Sequence, residues 1–194
     1  MNDPILAFLA QPENLPLALE IHQRVIQLRE ELHSTFWKSV KVELEQRLSN
    51  SPQSQDWELV DEATKAYNKD WASISLHPKL PNRLFLAPRL EQGTPRSGFR
   101  LYAGMKWSKE QQKGLPDMLQ TLALEKALRE HGFRQTPWWI GVKDLPLWIR
   151  KDDFLIKMAN EQASFIVEMA DNFWSLFREH EKLLVAANEE LAGG

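Results

Sequence analysis

Apolar residues recur every three or four positions through PENLPLALEIHQRVIQLREELHSTFWKSVKVELEQRLS, the spacing that gathers them on one side of an α-helix. Ile21, Val25, Leu28, Leu32, Phe36, Val40, Leu44 and Leu48 form the stripe. Pro16 sits where a first helical turn tolerates it, Asn14 stands where a cap belongs, and SNSPQSQD supplies the stop. The pattern predicts one helix over 15–49, reaching about 50 Å and longer than a small domain is wide. A short helix is expected before it.

The period then changes. Trp71–His77 (WASISLH) alternates large and small residues, and Arg83–Leu90 (RLFLAPRL) and Gly98–Trp107 (GFRLYAGMKW) are rich in aliphatic and aromatic side chains. Between the last two lies EQGTPRSG, made of turn formers. Two or three antiparallel strands are expected here, with a hairpin joining the last two and Pro88 confining its strand to an edge or a bulge. Leu115–His131 reads as a helix stopped by Gly132. The stretch TPWWIGVKDLPLWIR (136–150) follows, extended and adding a short strand at most. Adjacent residues of an extended chain face opposite sides. Trp138 and Trp139 are therefore expected to point apart, one into the core and the other toward solvent, a partner or a nucleotide. From Asp153 a second long helix is expected, to about residue 191, with Leu155, Met158, Phe165, Met169, Phe173, Leu176 and Leu183 as its stripe. Trp37 and Trp174 read as knobs in helix–helix contacts. Two long amphipathic helices need cover, most economically from each other and from one sheet face. The class is α+β: a single domain over 1–194, with a small antiparallel sheet of three to four strands against two long helices and one shorter one.

Composition narrows the classes. Cysteine is absent, which removes disulfide frameworks, thiolate metal sites and thiol nucleophiles. No apolar run approaches the ~20 residues of a membrane span, and the opening MNDPILAFLAQPEN is too short and too acid-flanked for a signal peptide. A cytoplasmic location without a membrane partner is the expectation. Net charge is −3, but unevenly spread. Residues 79–114 carry eight Lys/Arg against two Asp/Glu, whereas residues 1–78 carry seven against twelve. A basic middle between acidic ends means either an anionic ligand or neighbours that neutralise one another in the fold.

Chemistry is sparse. The five histidines form no HExxH and no pair at i, i+4 spacing, and no Gly-rich phosphate loop or nucleophile elbow occurs. Asp152 and Asp153 stand at a helix start, where capping explains them. No catalytic residue, metal ligand or cofactor is assigned.

Taken in order, ENLPLALEI…LREEL…FW, the strand pair RLFLAPRL and FRLYAGMKW, the phrase PWWIG and the terminal helix resemble the C-terminal region of a branch of PD-(D/E)XK nuclease-like proteins of bacteria and phages. The resemblance covers nearly the whole chain. The nuclease signature itself is missing: no lysine has an acidic residue two positions before it, so no metal-binding triplet is carried over. The resemblance implies an accessory region beside a nuclease core. In that reading Arg83, Arg89, Arg96, Arg100, Lys106 and Lys109 neutralise DNA phosphates, with Trp107 or Trp139 stacking on an exposed base. The long helices meet a nuclease-type partner. The alternatives are a protein-interaction or regulatory module or homodimer without nucleic acid, and a metal-dependent hydrolase of unrecognised type.

Overall fold

The computed structural model describes residues 3–79, 84–109 and 118–193. Five strands pair antiparallel in simple chain order: β1 (Trp57–Asp61), β2 (Ser73–Pro78), β3 (Leu86–Gln92), β4 (Arg100–Trp107) and β5 (Trp139–Trp148). The described helices are α1 (Pro4–Leu9), α2 (Leu15–Ser49), α3 (Ala63–Ala66), α4 (Leu119–Glu130), α5 (Asp152–Asn160) and α6 (Gln162–Gly193). The fold is α+β, with long helices at both ends of the chain.

Several details differ from the sequence expectation. The sheet has five strands rather than three or four, because β1 pairs along its whole length with β2 and the tryptophan-rich stretch forms a strand of 10 residues. The helix expected over 153–191 breaks at Glu161, giving α5 and α6. Asn14 does not cap α2; its amide donates to the Phe8 carbonyl and to Gln11 Oε1 instead. Pro88 lies in β3, the middle strand, not at an edge. It is tolerated because the β2–β3 ladder ends at Ser75–Arg89, so that Pro88 starts a stretch of β3 that β2 does not pair. Residues 115–117 of the expected middle helix, and Arg83, lie outside the described residues.

Strand alternation sends Ile74, Leu76, Leu86, Leu90, Leu101 and Met105 to one face, where they pack with Phe36, Trp37 and Leu44 of α2 and Phe173, Phe177 and Leu184 of α6. Two polar side chains lock the layers. Asn188 of α6 accepts from the Leu86 amide (2.8 Å) and donates to its carbonyl (3.0 Å), replacing the strand partner that β2 does not supply. At the other end of β3, fully buried Gln92 accepts from Trp37 Nε1 (2.9 Å) and His33 Nε2 (2.8 Å) while donating to the carbonyls of Tyr67 and Lys69. All four hydrogen-bonding positions of the amide are used. Glu190 of α6 accepts from the Gln120 and Thr121 amides and so caps α4, whose own cap position, Met118, has no suitable side chain.

Burial of His33 has a consequence for stability. Desolvation lowers its pKa to about 4 from an ordinary 6.5, only partly offset by the Gln92 hydrogen bond, with nearby Arg150 adding to the lowering. Between these values the unfolded chain holds a proton at His33 that the folded chain does not, so stability falls as pH drops from 6.5 toward 4 and is unaffected by this group above that window. The loss amounts to roughly 3 kcal/mol once pH reaches the lower bound. Urea unfolding at a series of pH values should show this slope, and His33→Gln should flatten it. Some slope should remain from His77, whose pKa burial also lowers.

Candidate ligand cleft on the open sheet face

The face of the sheet turned away from the helices carries the other half of the alternation: Ser73, Ser75 and His77 on β2, Arg89 and Glu91 on β3, Tyr102 and Lys106 on β4, Val142 and Asp144 on β5. Two adjoining depressions, of about 560 and 550 Å³, open on it. The first is lined by Glu62, His77, Phe85, Arg89, Trp107 and Lys109, among others, and the second by Trp71, Glu91, Tyr102, Arg134, Trp139 and Val142. Lys106 and Trp138 border both.

The floor is a charge network built around a carboxylate only 2% exposed. Glu91 Oε2 accepts from Arg89 Nε at 2.8 Å and from Lys106 Nζ at 2.6 Å. A second arginine nitrogen, Arg89 Nη2, donates to Glu62 at 2.9 Å, and the same Glu62 oxygen accepts from the Ser73 hydroxyl. Burial lowers the Lys106 pKa from its ordinary value, while the Glu91 charge works in the opposite direction. Beside this network the His77 ring lies 2.9 Å from the Ser75 hydroxyl, and its own burial, with Arg89 nearby, favours the neutral ring.

Aromatic side chains wall the cleft. The Lys106 ammonium lies 5.1 Å from the centre of the Trp139 ring and 6.0 Å from that of Trp138. The expected split holds in exposure, Trp138 at 46% and Trp139 at 7%, but both rings border the open-face cleft and Trp139 does not enter the core cluster. The reason is local: residues 136–139 form a turn, with the Thr136 amide donating to the Trp139 carbonyl and the Thr136 hydroxyl accepting from the amides of both tryptophans. The strand begins only at Trp139, and a register shift follows where Lys106 faces it. Trp71 stands at the rim, half exposed, with φ at 63°, a left-handed conformation that costs a non-glycine residue about 1–2 kcal/mol. The Trp107 Nε1–H is buried without an acceptor among the described residues.

The expected basic surface is largely spoken for. Arg89 and Lys106 are bound to Glu91, and Arg100 pairs with Asp144 at 3.3 Å, which also holds Arg134 at 3.1 Å. Trp107 cannot stack on a base, being only 3% exposed on the core side of β4, and Trp139 is 7% exposed. Of the expected contact residues, Arg96 and Lys109 are exposed and make no ion pair among the described residues. They flank the two ends of β4. Of the acidic partners, Glu91 lies within the basic segment of 79–114, whereas Glu62 belongs to the acidic stretch before it. Trp71, Tyr102 and Arg134 were not singled out, and only the turn at 136–139 and the strand register bring them together with Trp138.

A second exposed feature is the N-terminal part of α2. No residue of α1, and none of α2 before His33, is buried, and Leu17, Ile21, Val25 and Leu28 present an uncovered apolar stripe. Among the described residues, the first polar contact of α2 with the rest of the domain is made by Arg29, which donates to the Arg150 carbonyl and pairs with Asp152. No described helix is long and apolar enough to cross a membrane. No family model, curated protein or solved structure matches the chain.

Proposed function

We propose that the chain is a non-catalytic accessory domain that contacts single-stranded DNA through the open sheet face, with bases rather than phosphates providing most of the contact. The observation that carries this reading is the Lys106 ammonium set against two indoles, in a cleft further walled by Tyr102 and Trp71. The exposed rings of Trp138 and Trp71 suit a nucleobase, since every base offers a π-face to an aromatic ring, and Lys106 beside Trp138 adds a cation. The lining carries four cationic side chains (Arg89, Lys106, Lys109, Arg134) against two carboxylates (Glu62, Glu91), and Asp144 stands behind Arg134. Little positive charge is left for phosphates. The resemblance to the region beside a PD-(D/E)XK nuclease core favours DNA as the nucleic acid, and a cytoplasmic location is part of the same reading.

Fluorescence anisotropy with a labelled single-stranded oligonucleotide tests this. Trp138→Ala, at a 46% exposed position, should weaken binding by about 5- to 150-fold, the loss of one stacked base. The salt dependence should be shallow, a log–log slope of roughly −1 to −2, as expected for two or three neutralised phosphates. Equal binding by Trp138→Ala, or no binding at low salt, would reject the reading.

The bare stripe on α2 favours a second reading, in which the chain pairs with a second copy of itself. Ile21, Val25 and Leu28 follow the alternating four-three spacing of a coiled-coil seam, and the neighbouring helix surface carries both Glu20 and Arg24, joined in a pair at 3.8 Å. Light scattering after size exclusion should give twice the chain mass for the parent and the single mass for Ile21→Glu/Val25→Glu. A monomeric parent at tens of micromolar would dismiss self-association.

A further inference from the structure

We infer that His131, Glu179 and His180 form a divalent-cation site of the zinc class at the junction of α4 and α6. No local pattern points to it, because the histidines are 49 residues apart and neither belongs to a spaced pair. The fold brings them together. Gly132, with φ at 82°, ends α4 and leaves His131 at its C-terminal cap, against the middle of α6. The Glu190 carboxylate ties the opposite end of α4 to the same helix, so the separation of the two helices is set at both ends.

Three features of the cluster point to a cation. The His180 ring is buried at 2% exposure, and its Nδ1 lies 3.0 Å from the Leu176 carbonyl. A carbonyl only accepts, so Nδ1 carries the hydrogen and the Nε2 lone pair is left facing outward. Fixing one ring nitrogen by a carbonyl so that the other is free is the usual arrangement behind a metal-bound histidine. That Nε2 lies 3.2 Å from His131 Nδ1, with the two ring planes at 88°. Two nitrogens pointing at one another need a proton or a cation between them. Two zinc–nitrogen bonds of ~2.0–2.1 Å at a tetrahedral angle separate their nitrogens by roughly 3.3 Å. The third feature is Glu179: all three ligand atoms lie within 4.8 Å of one another. Two imidazoles and one carboxylate suit zinc and similar borderline ions far better than calcium or magnesium, which take oxygen ligands. His131 and Glu179 are exposed, so the ion has access and water can fill a fourth position.

The bound ion would clasp α4 to α6. The test uses the full chain after removal of metals with a chelator. Titration with cobalt(II) should produce the visible absorption bands of a tetrahedral site at one equivalent, and zinc should erase them. Saturating zinc should raise the melting temperature of the parent. His131→Ala and Glu179→Gln change exposed side chains and should leave the fold intact. His131→Ala should weaken zinc binding at least ~100-fold and abolish the zinc-dependent rise, and Glu179→Gln should weaken it roughly 10-fold. Unchanged zinc affinity in His131→Ala would put the ion elsewhere and overturn the site. Absence of cobalt bands in the parent at neutral pH would also overturn it, leaving a hydrogen bond in which the two rings share a proton.

Discussion

Glu91→Gln should destabilise the domain by about 3 kcal/mol, far more than its change in size suggests. The carboxylate is 2% exposed and holds two cations whose side chains are each 18% exposed. Neutralising it leaves Arg89 and Lys106 facing an amide, with their desolvation no longer offset. The expected loss lies at the lower end of the ~3–5 kcal/mol typical of a broken buried pair, because Arg89 keeps Glu62 at 2.9 Å. Lys106 has the poorer alternative. Its pKa is already lowered by burial, and without Glu91 it should fall further, so the variant should recover part of its stability as pH rises and the amine becomes neutral. Adding Lys106→Met should then rescue Glu91→Gln by more than 1 kcal/mol, since removing the stranded charge removes the penalty. Chemical unfolding of the four members of this cycle measures the coupling. Strictly additive losses would mean that Lys106 and Glu91 do not depend on one another.

Gly104→Ala should be at least as damaging, for a steric reason. A Cβ at this position would lie 2.1 Å from the Gly141 carbonyl oxygen and 2.8 Å from Val142 Cα, both backbone atoms of β5. Backbone cannot rotate aside as a flexible side chain can. Relief requires β5 to move, and β5 is pinned from behind because a Cβ on Gly141 would itself meet Leu128 of α4 at 2.9 Å. The expected loss is about 3 kcal/mol or more, the upper range for an overpacked site. For a chain of this size it should lower the melting temperature by roughly 6–12 °C. A melting temperature within 2 °C of the parent would show that the two strands do not approach so closely. Because β5 begins with Trp139, residual folded protein should also bind oligonucleotide less well.

How much of this was legible beforehand varied by element. The long-helix stripe was readable from its spacing, and Phe36, Val40, Leu44 and Leu48 are all buried as it implied. The same stripe continues through Ile21, Val25 and Leu28, which nothing described covers. Periodicity identifies a face but not its occupant. Strand β1, WELVD, was missed because it is short and half polar, and only its ladder with β2 makes it a strand. The length of β5 was missed because its register shifts interrupt a clean alternation. The basic middle was readable as charge, yet not as a surface. Arg89 and Glu91 are two apart on one strand, which places them on the same side, but the burial of Glu91 depends on the whole sheet. The two tryptophans were assigned to opposite faces by a rule for extended chain, and the turn at Thr136 removes its premise. The buried Gln92 hub and the His131–His180 contact join residues distant in sequence and carried no local signal.

The most direct measurement of the open-face reading is an NMR titration that follows the indole N–H signals of the eight tryptophans as a single-stranded oligonucleotide is added. Contact at the cleft should shift Trp138, Trp139 and Trp71, and leave Trp37, sealed in the core by its hydrogen bond to Gln92, unmoved. Signals that all stay in place, or shifts confined to tryptophans of the helical layer, would contradict it.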